Sequence, residues 1–190
     1  MRTLLLTFIS ILFLSACNHS HDHTHDIANA DTTALYDYDV ESKLAEMGIE
    51  LKEPAPPAGN YVNAVRTGNL VFMAGKGPNL PEGGYVTGKV GEDLTVEEGY
   101  QAAKLVAQAQ LSALKAEIGD LNKVVRIVKV LGMVNSASDF GNQPEVINGF
   151  SDTMVGVFGD RGKHARAAVG MAALPRNIAV EIEMIVEVRD

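Results

Sequence analysis

The stretch from Thr95 to Val134 constrains the fold of this chain more than any other part. Thr95-Val96-Glu97-Glu98 has the form of a capping box, in which the threonine hydroxyl and the glutamate carboxylate each cover a backbone amide left unpaired at a helix start. Tyr100, Ala103, Ala107, Leu111, Leu114 and Ile118 follow at spacings of three and four, so the predicted helix has one apolar face, and Gly119 is placed to end it. Its many alanines allow that face to lie close on a sheet. Lys123 to Val134 is then a long β-branched run, which reads as a strand.

The flanking sequence supplies the rest of a layered domain. Val40 to Met47 is a short helical pattern closed by Gly48, and the prolines at 54, 56 and 57 stop any continuation. Tyr61–Arg66 and Asn69–Ala74 are apolar runs joined by Thr67-Gly68, a predicted hairpin. Residues 75–91, rich in Gly and Pro, read as a loop or a loosely paired strand. Gln143-Pro144-Glu145 opens a second helix that runs to Phe158 and stops at Gly159. Ala165–Ala173 and the alternating 178–188 read as the last strands. This order predicts an α+β sandwich, with two helices packed on one face of a mixed sheet.

At 190 residues and 46% hydrophobic, the chain has the size and composition of one globular domain. Acids outnumber bases by 24 to 16, for a net charge of -8. Residues 17–50 hold eight of the acids and one base, which leaves the body close to neutral. A protein that grips nucleic acid by neutralising phosphates needs the opposite balance, so no nucleic-acid partner is expected.

The front of the chain reads as an export signal and a tether. Arg2 precedes an apolar stretch from Leu4 to Phe13, too short for a permanent span, and Leu14-Ser15-Ala16-Cys17 resembles a bacterial lipobox. The expected organisation is a signal peptide at 1–16, a His-rich acidic tether at 17–39, and the domain at 40–190. Cys17 is the single cysteine. Lipidation there would anchor the protein in the cell envelope, its only membrane contact, and leave no thiol for a disulfide or for catalysis. Asn18, rather than aspartate, after the cysteine implies the outer membrane, facing the periplasm. His19, His21, His23 and His25 alternate with small polar and acidic residues. Such a tract suits a transition metal, and it equally suits a plain hydrated tether.

Several motifs fail on mechanism. Gly83-Gly84-Tyr85-Val86-Thr87-Gly88-Lys89-Val90 nearly matches a phosphate-binding loop, but Val90 stands where the magnesium-binding hydroxyl belongs. The body offers one histidine, His164, too few for a zinc hydrolase site, and it has no Gly-x-Ser-x-Gly elbow.

The segment His164-Ala165-Arg166-Ala167-Ala168-Val169-Gly170-Met171-Ala172-Ala173-Leu174-Pro175 is more telling. Taken with Val180-Glu181-Ile182-Glu183, Tyr61-Val62-Asn63-Ala64-Val65, Gly68–Gly75 and Pro78, it resembles the RidA/YjgF family, also named endoribonuclease L-PSP, over residues 40–190. The LAEMGIEL segment resembles the longer YjgF/chorismate-mutase-like subgroup. The resemblance implies a chorismate-mutase-like sandwich, a homotrimer with clefts between subunits, and hydrolytic deamination of 2-imino or enamine acids to 2-oxo acids and ammonia without a required cofactor. In that reading Arg166 pairs with the substrate carboxylate, and Glu181 positions the attacking water. Tyr61, from a neighbouring subunit, lines the cleft; the Ala74-Gly75 backbone and Asn148 contact substrate. Two positions depart from the deaminase pattern. His164 replaces a proline, and Lys76 follows Ala74-Gly75 where many members have Ser-Gly-Gln. Either could be a supporting group around the cleft.

Other readings stand beside the deaminase. The clefts could hold a small carboxylate without turnover, or the chain could be the ribonuclease of the family name, which the near-neutral body disfavours. At residue level, the Leu174-Pro175 turn is expected to return the chain so that Glu181 approaches Arg166 from an adjacent strand. That contact would be either a structural ion pair or a site for an anionic ligand.

Overall fold

The structure, a computed structural model, describes residues 34–190. The signal segment, Cys17 and the histidines at 19, 21, 23 and 25 lie outside the described residues. Helix α1 (Val40–Glu46) is followed by β1 (Ala64–Thr67), β2 (Leu70–Lys76), α2 (Val96–Ile118), β3 (Val124–Asn135), α3 (Gln143–Phe158), β4 (Ala165–Met171) and β5 (Val180–Val188). The strands form one mixed sheet in the order β1-β2-β5-β3-β4, and β3–β4 is its parallel pair. This is the α+β sandwich expected from the sequence.

Helix α2 starts and stops where its caps require. Thr95 Oγ1 accepts from the Glu98 amide at 3.2 Å, and Glu98 Oε2 accepts from the Thr95 amide at 2.8 Å. Gly119 ends α2 with φ 78°, a backbone conformation that glycine adopts without strain. The buried face of α2 contains Ala103, Ala107, Leu111, Leu114 and Ile118 of the expected stripe. Tyr100 sits at the rim instead and donates its hydroxyl to Asp152 of α3 at 3.0 Å. The two helices cross closely at Gly149, where a Cβ would collide with the carbonyl oxygen of Tyr100.

The core lies between these helices and one face of the sheet, where Val71, Met73, Val130, Ile182, Met184 and Val186 are buried. The opposite face carries Val65 and Phe72, a cross-strand pair 56% and 43% exposed, together with Val169. Among the described residues, no helix is long and apolar enough to cross a membrane.

Residues 35–39, read from the sequence as the end of the tether, are packed on the body. Tyr36 and Tyr38 donate their hydroxyls to the carbonyls of Val124 and Val157, and Arg161 donates to the Leu35 carbonyl. The Arg161 guanidinium lies 5.6 Å from the centre of the Tyr36 ring. Two tyrosines and Arg161, in the helical turn that follows α3, thus extend the packed unit beyond residue 40 toward the N-terminus.

The expected approach of Glu181 to Arg166 is not found. β4 and β5 are not neighbours, because β3 runs between them, parallel to β4 and antiparallel to β5. Arg166 is opposite Val130, whose side chain is in the helix-side core, whereas Glu181 is opposite Met133, three residues on. Side chains alternate along a strand, so Arg166 faces the helices and Glu181 the other face. The proposed structural ion pair therefore does not exist within one chain.

Candidate functional site

The residues singled out in the sequence gather into two groups. The first is built on the α3–β4 crossing. Arg166 donates through Nη1 to Asn148 Oδ1 at 2.9 Å and to Ser151 Oγ at 3.0 Å. Asn148 and Ser151 are three residues apart, which puts both on one helix face. Ser151 Oγ is also 3.1 Å from His164 Nε2, and His164 Nδ1 is 2.7 Å from the Gly162 carbonyl oxygen.

That last contact fixes the tautomer. A carbonyl only accepts, so Nδ1 carries the proton, and the neutral ring's Nε2 accepts from the Ser151 hydroxyl. The Ser151 oxygen is then left to accept from Arg166. Burial and the Arg166 charge hold the histidine pKa below its ordinary value, against the opposing pull of the Gly162 carbonyl. His164 and Arg166 share a face, as two residues of an extended segment should, and Ser151 links them.

The guanidinium is thus held by neutral acceptors. Among the described residues Arg166 forms no ion pair, and Nη1 is its one bonded nitrogen. Its other donors are available to an anionic ligand, and a planar fork suits a carboxylate.

The second group is built on β2 and β5. The ladder between them shifts register between Met73 and Lys76, so Ala74 and Gly75 fall in an irregularity. The carboxylate of Glu181 fills the space beside Gly75, where a Cβ would collide with Oε1. Gly75→Ala is therefore expected to push this flexible carboxylate aside and lower stability by only about 1 kcal/mol; a loss several times larger in a thermal melt would show the carboxylate to be held rigidly. Burial of Glu181, reinforced by the charge of Glu183, raises its pKa above the usual carboxylate value.

Gln110 of α2, fully buried, braces this irregularity. Its Nε2 donates to the carbonyls of Ala74 at 2.9 Å and Ile182 at 2.6 Å, which flank Gly75 and Glu181. Tyr61, 55% exposed, lines a pocket of about 290 Å³ together with Gly75 and Lys76. Lys76 donates to Asn63 Oδ1, and burial lowers its pKa.

Ser151 and Gln110 were not singled out in the sequence, although each left a signal there. Ser151 follows Asn148 at helical spacing, and Gln110 is a polar residue inside an apolar stripe. The expected metal ligands lie outside the described residues; among those described, no cluster of three or more His, Cys, Asp or Glu could hold an ion.

The chain resembles known proteins over most of its length. The chain is 43% identical to Protein TCP17 of Trypanosoma cruzi over 152 residues, covering 80% of this chain and 95% of that one. It is 31% identical to the 2-iminobutanoate/2-iminopropanoate deaminase of Salmonella typhimurium, covering 70% of this chain and 91% of the deaminase. The crystal structure of Atu1372 from Agrobacterium tumefaciens, a protein of unknown function, superposes with a TM-score of 0.74 at 43% identity, over 79% of this chain and 92% of that one. The family model described as "YjgF/chorismate mutase-like, putative endoribonuclease" matches residues 41–188. With the sheet order, the two helices on one face and this match over most of its length, the chain belongs to the YjgF family.

Proposed function

We propose that the protein is a hydrolytic deaminase of 2-imino acids that works in a cleft shared between copies of the chain. The observation that carries this reading is the division of the site. Arg166 with Asn148 is on the helix face of the sheet, and Glu181, packed against Gly75, is on the other. A substrate that needs both must lie between two subunits. The apolar face with Val65, Phe72, Val169 and the exposed Tyr61 and Val62 is the surface such an assembly would cover, in a homotrimer.

The chemistry needs no group beyond the chain. Arg166 of one copy holds the substrate carboxylate, which fixes the imine carbon near Glu181 of the next. The Glu181 carboxylate accepts a proton from a water as its oxygen adds to that carbon. Glu181 hands that proton to the nitrogen, and the carbinolamine then collapses as its hydroxyl gives up a proton and the nitrogen takes one and leaves as ammonia, so the 2-oxo acid remains. One water is consumed and no redox change occurs.

The test is ammonia release from 2-aminoacrylate and bulkier imino acids, measured with light scattering on the same protein. Accelerated release by a trimer supports the reading; a monomer, or release at the uncatalysed rate, overturns it. For the lipid anchor, which we propose at Cys17, Cys17→Ala is expected to move the protein from membrane to soluble fractions. Equal membrane retention of a processed Cys17→Ala protein would remove the anchor.

A further inference from the structure

The pocket beside Gly75 carries more positive charge than the deaminase reading uses. It is walled by the proline-rich stretch 53–58 and by the turn at Arg176. Lys52, Lys76 and Arg176 line it against a single lining carboxylate, Glu53. Among the described residues none of the three cations is in an ion pair. Lys52 donates to the Pro81 carbonyl at 3.4 Å, and Lys76 to the neutral side chain of Asn63. An ammonium has three protons to donate, so a half-buried one with a single neutral acceptor is poorly compensated.

Arg176 is brought to the pocket at a cost. Its backbone is left-handed, φ 58°, as is that of Asn177, φ 56°. For an ordinary residue such a conformation costs on the order of 1–3 kcal/mol and persists where surrounding contacts impose it. Here fully buried Asn135 donates to Asn177 Oδ1 at 2.9 Å, and the Gly88 amide donates to the Asn177 carbonyl at 2.9 Å. The guanidinium lies 5.9 Å from the centre of the Tyr85 ring, and its Nη1 donates to the Tyr85 hydroxyl at 3.4 Å. Ala109 and Ser112 of α2 and Tyr61 complete the wall, and Gly75, against which the Glu181 carboxylate packs, joins this pocket to Glu181.

We infer that this pocket receives the second carboxylate of a dicarboxylic substrate, a 2-imino acid with an acidic side chain whose far end is bound by Lys76 and Arg176. The inference rests on the deaminase reading for the first carboxylate, on Arg166 of another copy, and adds the substrate class. Tyr61 and Tyr85 flank the side chain, and the anion supplies the counter-charge that Lys76 lacks.

The test compares two stable acids of equal length, 2-oxoglutarate and 2-oxopentanoate, by calorimetry on the full protein. Wild type is expected to bind the dicarboxylate roughly tenfold more tightly, the scale of one added charge-assisted contact. Lys76→Met keeps the stem and removes the charge; it should bring the ratio close to one without lowering the melting temperature. Arg176→Gln should reduce the ratio by a smaller factor and guards against an unforeseen folding defect in the first variant. No dicarboxylate preference in wild type, or a preference that survives both substitutions, overturns the pocket assignment and leaves the Arg166 reading intact. Loss of the preference in Lys76→Met together with undiminished binding of 2-oxopentanoate by Arg166→Ala keeps the pocket and overturns the clamp. Inorganic phosphate bound at Lys76 without competing with 2-oxoglutarate would mark a free-anion site and overturn the dicarboxylate assignment.

Discussion

Arg166→Ala is expected to weaken binding of a 2-oxo acid about a hundredfold while leaving the melting temperature close to that of wild type. The two effects separate because of what Arg166 touches. A buried arginine paired with a carboxylate would strand that charge when removed, at about 3–5 kcal/mol. Arg166 instead donates to the neutral oxygens of Asn148 and Ser151 and is partly open to solvent. Those groups can turn to water, so the folding cost is about 1 kcal/mol. A carboxylate ligand, by contrast, loses a charge-assisted fork worth roughly 1.5–3 kcal/mol per hydrogen bond. Arg166→Lys keeps the charge without the fork and should fall between the two. Wild-type affinity in Arg166→Ala would refute the clamp.

The elements were legible in the sequence because local chemistry marks their ends. Thr95 with Glu98, Gly119, Pro144 and Gly159 stand at helix boundaries in the structure as they do in the pattern. Strand neighbours are harder, since alternation tells which residues share a face and not which strand lies alongside. The expected β4–β5 pairing followed from their nearness in sequence. A strand, a helix and another strand in succession, here β3, α3 and β4, instead form a parallel crossover pair, and that pairing takes the place at β3 that leaves β5 on the other side. The same limit governs the site. His164 and Arg166 could be put on one face from their spacing, but Ser151 between them comes from a different element. Lys52 and Arg176, more than 120 residues apart, meet only because the proline-rich stretch and the Leu174–Asn177 turn wall one pocket.

Glu181→Gln is expected to leave 2-oxo acid binding near wild type and to cut turnover by roughly 10²–10⁴-fold, the usual range for loss of a positioned general base. The amide keeps the shape that fills the space beside Gly75 but cannot take a proton from water. The pH profile gives an independent check. Burial, then the charge of Glu183 two residues along the same face, raise the Glu181 pKa above its ordinary 4.5. Folding therefore disfavours the ionised form, so this group's contribution to stability is greatest at low pH. It declines as pH rises from the unfolded value through the folded one. Turnover is expected to run the opposite way, because in the proposed reaction the carboxylate is the working form, and its acid limb should lie above pH 4.5. Glu183→Gln removes one of the two causes and should move that limb downward with little loss of rate at neutral pH. A Glu181→Gln enzyme with wild-type turnover, or a Glu183→Gln enzyme whose acid limb stays in place, would assign the water to another base.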